Sequence, residues 1–247
     1  MIPAGIESRI AVFGGLTLQF VMPNQPDDEA ALSLAYLSTY MPSNFFTSLV
    51  RQSYNRSPEF KQAVLDAMSP FQIASKMWAA NAVQFLASEY DIDHLFYLGS
   101  WFGAQSAFDH KAHPDLVEAR KTYLDRDAEV ISVARQCHTD NFTAGRSTWL
   151  ICDISTDTSF ERFETEANDT SVVVWTGIEH FDPKVIQHIV DEFPPTTKWV
   201  LQGTDMPAPD HANVVTSLSD LTKYFNTEPL LLGEMRTVLG TRFMAVM

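Results

Sequence analysis

The chain has 247 residues, 45% of them hydrophobic, which is enough to bury one full α/β core. Its 17 Lys and Arg face 31 Asp and Glu, and the net charge of −14 disfavours nucleic acid and anionic membrane as partners, leaving a small molecule as the expected one. No apolar run approaches the ~20 residues that span a bilayer. No basic-then-apolar leader opens the chain, and two cysteines, Cys137 and Cys152, in apolar or helical contexts fit a reducing cytoplasm better than a disulfide scaffold.

In chain order, Arg9 to Phe13 and Leu16 to Met22 read as a hairpin around Gly14-Gly15, an edge element or the arm of a homodimer. Its glycines lack a following helix and acid, so they are not read as a nucleotide loop. Residues 27 to 90 read as helical. Asp27 to Glu29 suit a helix start before Ala30 to Tyr40; Ser43 opens a second helix through Tyr54; Ser57-Pro58-Glu59 opens a third; Ser69-Pro70 opens a fourth that ends near Tyr90. This leading part is rich in aromatics (Tyr36, Tyr40, Phe45, Phe46, Tyr54) and reads either as a packed helical layer or as a lid over a ligand. The boundary is drawn at residue 70, with a hairpin and helical cap before it and a nucleoside-binding domain over 71–247.

From there strand and helix alternate, which predicts a doubly wound parallel sheet with helices on both faces. Strands are expected at Leu95 to Leu98, Lys121 to Asp125, Thr148 to Cys152, Ser171 to Trp175 and Lys198 to Gln202. Helices are expected at Ala104 to Phe108, Ala128 to His138, Phe160 to Ala167, Pro183 to Phe193 and Leu218 to Phe225. Leu230 to Val238 and Phe243 to Met247 close the fold as an antiparallel pair. The run of Val at 172–174 places that strand centrally.

Residues 94 to 127 organise the rest. The apolar run to Leu98 enters a turn bracketed by Gly99 and Gly103, and a second strand ends at Asp125. Glycine permits a positive φ and a close approach of ligand to backbone. An acid at the next strand end, some twenty residues on, is placed to accept both hydroxyls of a ribose.

On these residues the sequence resembles the class I S-adenosylmethionine (SAM)-dependent methyltransferases over roughly residues 70 to 247. It departs from them in carrying Gly99-Ser-Trp-Phe-Gly103 where a three-glycine loop is usual. Ser75-Lys-Met-Trp78 ahead of the turn and Thr241-Arg-Phe-Met244 at the close resemble a subgroup that makes azetidine-2-carboxylate. The resemblance implies a Rossmann-like methyltransferase sheet with an N-terminal helical cap, SAM as methyl donor or as the substrate itself, and a nucleoside site at Gly99, Ser100, Gly103 and Asp125. It further implies Asp153 and Ile154 against the adenine, and Ser75 and Lys76 near the methionine carboxylate. Trp175, Glu179 and His180 would lie beside the reacting sulfonium.

For each residue a plainer reading stands beside this one: a helix cap for Asp153, a solvated helix lysine for Lys76, a core aromatic for Trp175, a structural histidine for His180. Arg242, inside an apolar strand, calls for a carboxylate partner from protein or ligand. Metal-ligand spacing is poor: His110 and His113 stand without further ligands in a segment that reads as exposed, and no metal is expected. Three outcomes remain open: methyl transfer to a small acceptor, cyclisation or lysis of SAM itself with release of methylthioadenosine, and nucleoside binding without catalysis.

Overall fold

The structure, a computed structural model, describes residues 6–13, 16–23, 42–141, 146–156, 167, 170–236 and 240–247. Two antiparallel strands come first, β1 (Ile6–Phe13) and β2 (Leu16–Pro23), paired Phe13 to Leu16 across the glycine pair. Helices α1 (Ser43–Ser53), α2 (Pro58–Ala67) and α3 (Pro70–Glu89) follow. Ser57 and Ser69 cap α2 and α3 by accepting from the amides of Phe60 and Gln72, and Pro58 and Pro70 occupy first-turn positions whose N–H would have no partner. The helices expected over 30–40 and 160–167 fall, Ala167 apart, outside the described residues.

The sheet is built from β3 (His94–Leu98), β4 (Arg120–Asp125), β5 (Ser147–Ile151), β6 (Ser171–Trp175), β7 (Lys198–Thr204), β8 (Leu231–Arg236) and β9 (Thr241–Val246). Their order is β5-β4-β3-β6-β7-β9-β8. The first five are mutually parallel, and β9 runs antiparallel to both its neighbours. The valine strand β6 is the middle one of seven, as its composition predicts. The closing pair is antiparallel as expected, but β9 passes β8 and inserts beside β7. That pairing sets Gly203 and Thr204 opposite Phe243 and Arg242, which is why β7 runs two residues beyond its expected end.

Alternate residues of each strand face opposite layers. Phe96, Leu98, Val173, Trp175, Leu201 and Phe243 meet α6 (Pro183–Glu192) and α7 (Leu218–Thr222) through Ile186, Ile189 and Leu221. Leu95, Tyr97, Val172, Val174, Met244 and Val246 meet α3 through Trp78, Ala82, Val83 and Leu86. A third apolar cluster joins Phe45, Phe46 and Leu49 of α1 and Phe60 and Val64 of α2 to α4 (Ala104–Ala112) and α5 (Ala128–Asn141). It includes Phe102 of the glycine turn, whose ring meets Phe60 edge-on at 5.4 Å. The leading helices therefore form a packed layer that reaches the turn, and the apolar contact crosses residue 70. Tyr54 points to solvent. Cys137 and Cys152 are buried and not joined in a disulfide. No described helix is long and apolar enough to cross a membrane.

Candidate functional site

Strand order reverses between β3 and β6, and in open parallel sheets ligands bind outside the carboxyl ends at such a reversal. The turn after β3 is tied to β4: the Ser100 amide donates to the Leu124 carbonyl at 2.8 Å and the Gly103 amide to the Ser100 carbonyl at 2.7 Å. Gly99, Trp101 and Gly103 all have positive φ, 58°, 47° and 69°. Gly103 admits no side chain, since a Cβ would come within 2.7 Å of His138 Nε2. Trp101 has a Cβ, and a left-handed backbone costs it roughly 1–2 kcal/mol. Its amide donates to Asp125 Oδ2 at 2.7 Å, which fixes the conformation.

Asp125 thus sits where the sequence put it, half-buried at the end of β4. Its other oxygen accepts from the Asp127 amide at 3.1 Å. Burial raises its pKa above the ordinary carboxylate range, with the Asp127 and Trp101 amides opposing. Each oxygen keeps a second lone pair. The Cys152 amide donates to the Asp125 carbonyl at 2.9 Å, so the ends of β4 and β5 adjoin. Asp153 Oδ1 accepts from the Ser155 amide and hydroxyl in a local turn. Ile154 is buried among core side chains, and Ser100 Oγ is buried without a hydrogen-bond partner.

The other half of the site is a buried charge cluster between α3 and the ends of β6, β7 and β9. Ser75 Oγ donates to Gln202 Oε1 at 2.8 Å, and Gln202 Nε2 returns a bond to the Ser75 carbonyl at 3.1 Å. Arg242 donates from Nη1 to Ser75 Oγ at 3.0 Å and to the Thr176 carbonyl at 3.3 Å, lies over the Phe71 ring at 4.8 Å, and reaches Glu179 Oε1 at 3.7 Å. The segments 75–78 and 241–244 are therefore in direct contact. Lys76 is 7% exposed, a correction to the solvated-lysine reading. It donates to Gln72 Oε1 at 3.2 Å and lies 5.9 Å from the Trp101 ring, so it links the glycine turn to the cluster. Burial pushes its pKa down to about 7, Arg242 adds to the fall, and Glu179 opposes it. Two cations face one carboxylate here, and Glu179 Oε2 and Arg242 Nε are buried with no partner.

After β6 the chain turns through Ile178–His180. Trp175 is fully buried, meets Phe181 edge-on at 5.1 Å and faces the α6 layer, so its ring is a core ring. Phe181 in turn lies against Gly99. Glu179 points inward and His180 outward. The Glu179 carbonyl accepts from the Ala212 and Asn213 amides at 2.8 and 2.9 Å, which draws His211 alongside His180, ring centroids 4.9 Å apart. Sequence reading missed Gln202, Phe71 and Phe181; the glutamine in an otherwise apolar strand was the available signal.

His110 corrects a second expectation, that its segment is exposed. It is buried within α4, and burial lowers its pKa to about 3. A cavity of about 370 Å³ opens at the opposite, amino-terminal strand ends beside Lys121. The Lys121 ammonium is already spent on the carbonyls of Leu116, Val117 and Ala119.

These features define a Rossmann-like methyltransferase fold with its turns at the usual binding end. The CurJ carbon methyltransferase is similar, at 14% identity and TM-score 0.57, with 96% of this chain and 76% of that chain covered. The citrinin polyketide synthase CMeT domain matches at 12% and 0.57 over 96% and 74% of the two chains. The mitomycin 7-O-methyltransferase MmcR matches at 15% and 0.53 over 96% and 79%. At such identities the likeness is one of fold. No protein-family profile and no curated protein sequence matches the chain.

Proposed function

We propose that the chain is a SAM-dependent enzyme that transfers a methyl group to a small acceptor. The observation that carries this reading is the Gly99–Gly103 turn bonded to Asp125 across adjacent parallel strand ends, with Lys76 beside it. Asp125 would accept the ribose hydroxyls, and Lys76 and Ser75 would meet the methionine carboxylate, which neutralises the surplus positive charge of the cluster. Glu179 and His180 would flank the acceptor. SAM supplies an electrophilic methyl carbon, so these residues contribute alignment and exclusion of water. The methyltransferase fold supports the reading, and the mitomycin enzyme supports a small-molecule acceptor by its name.

One observation favours cyclisation of SAM instead. In that reading Lys76, whose pKa burial holds down to about 7, takes a proton from SAM's own ammonium in place of pairing with its carboxylate. The freed amine would attack the γ-carbon as the carbon–sulfur bond breaks, giving azetidine-2-carboxylate and methylthioadenosine. Incubation with SAM alone separates the readings. Methylthioadenosine without acceptor selects cyclisation or lysis; adenosylhomocysteine only with an added acceptor selects methyl transfer. Binding without either product leaves a nucleoside-binding module. Calorimetry that finds neither SAM nor adenosylhomocysteine bound at millimolar ligand overturns all three.

A further inference from the structure

The turn after β6 and the loop after β7 hold an arrangement that the methyl-transfer reading uses only in part. One donor atom each from Glu179, His180 and His211 lies within 4.8 Å of the other two. The histidines are oriented from behind. His211 Nδ1 lies 2.7 Å from the Met206 carbonyl, and a carbonyl only accepts, so the proton is on Nδ1 and the lone pair on Nε2. His180 Nδ1 likewise faces Asp210, 3.2 Å from Oδ2 and 3.4 Å from its carbonyl. A histidine that ligates a metal through one nitrogen commonly donates from the other to a carbonyl or carboxylate in this way.

The carboxylate adds an independent sign. Glu179 is 2% exposed; Arg242 approaches its Oε1 at 3.7 Å, while Oε2 has no partner. A buried carboxylate oxygen left bare is costly unless a cation or donor arrives. The paired amides of Ala212 and Asn213 on the Glu179 carbonyl fix the two loops to each other, so the three side chains are held by backbone and not by chance rotamers.

The geometry points to a divalent transition-metal site formed by Glu179, His180 and His211, with zinc or a neighbouring first-row ion favoured over magnesium because two of its three donors are imidazoles. Three protein ligands leave a coordination position open, and the Arg242 guanidinium stands close by, 3.7 Å from Glu179 Oε1. That position suits an anionic oxygen of a small molecule, a carboxylate or an ionised hydroxyl. The binding claim stands apart from the cofactor reading; only the use of the open position by an acceptor rests on it.

The test uses the full chain, stripped with chelator, and titrates Zn²⁺ by calorimetry and Co²⁺ by visible absorption, with no SAM present. One ion per chain is expected, with the d–d bands of a low-coordinate, nitrogen-containing site. His180→Ala and His211→Ala should each weaken binding by at least about tenfold, with apo melting temperatures unchanged for the exposed His180. His188→Ala is the control, since His188 and Glu192 form an exposed pair one helical turn apart on α6. No binding at millimolar Zn²⁺, equal binding in the double variant, or loss only in His188→Ala each overturns the site. Zn²⁺ binding without any SAM binding would refute the cofactor reading and leave the metal site intact.

Discussion

Two buried polar networks touch α3, and they are finished differently. In the first, Asp109 is fully buried, yet both its oxygens are used, by Tyr97 Oη at 2.7 Å and Gln105 Nε2 at 2.7 Å; Gln105 also donates to the Lys76 carbonyl, and only its neutral Oε1 is left without a hydrogen-bond partner. Ser106 and Tyr123 complete it at 2.5 Å. In the second, Lys76, Arg242 and Glu179 are equally buried, but a carboxylate oxygen and a guanidinium nitrogen are left bare, and the charges do not cancel. A network whose carboxylate is paired on both oxygens serves the fold. The second, at the ends of β6, β7 and β9, leaves charged groups unpaired, which is the arrangement the proposed ligand would complete.

The sharpest way to break this contrast is Arg242→Met. It strands Glu179 without its cation, and the expected cost is about 3–5 kcal/mol of stability together with loss of turnover. Adding Glu179→Gln should restore most of the melting temperature and none of the activity. Recovery of turnover would make the cluster merely structural.

Asp125→Ala should come next, weakening SAM roughly 10- to 100-fold by calorimetry, the weight of hydrogen bonds to a charged group. An unchanged affinity would move the ribose elsewhere.

Asp109→Asn tests the first network. Burial raises the Asp109 pKa to about 7. Its folded pKa lies above its unfolded one, so its contribution to stability is full below about pH 4 and is lost as pH rises through about 7. The asparagine variant should flatten denaturation midpoints over that window and leave SAM binding alone.

The smallest effect is a proton count. A carboxylate ligand stabilises charged Lys76, so binding at pH 8 should take up a fraction of a proton and weaken as pH rises above 7. Calorimetry in buffers of different ionisation enthalpy reads this, and Lys76→Met should abolish it.

The halves of the site also differ in how far the sequence disclosed them. Gly99, Gly103 and Asp125 carry local signals: glycines at a strand end, and an acid closing the next strand. Strand spans follow from composition in the same way, Val172 to Val174 most plainly. The charged half is assembled from α3, β7, the turn after β6 and β9, and no spacing within any one of them reveals that Ser75 meets Arg242 or that His211 comes to His180. The backbone bonds from Ala212 and Asn213 to Glu179 that bring the histidines together have no side-chain signature at all. Trp175 was legible as a strand end, but which face it takes depends on strand parity relative to helices not yet placed.

Because β9 is threaded between β7 and β8, the sheet cannot be completed in the order in which the ribosome delivers it. A nascent chain that has emerged through β8 has all five parallel strands and the glycine turn, yet β7 still shows a bare edge and Glu179 has no guanidinium beside it. The glycine-turn half is built wholly from strands delivered before β9; the charged half waits for a late insertion. Quality control acting on a stalled or truncated chain would thus meet a protein whose glycine turn is in place while the Glu179 carboxylate stands without its cation.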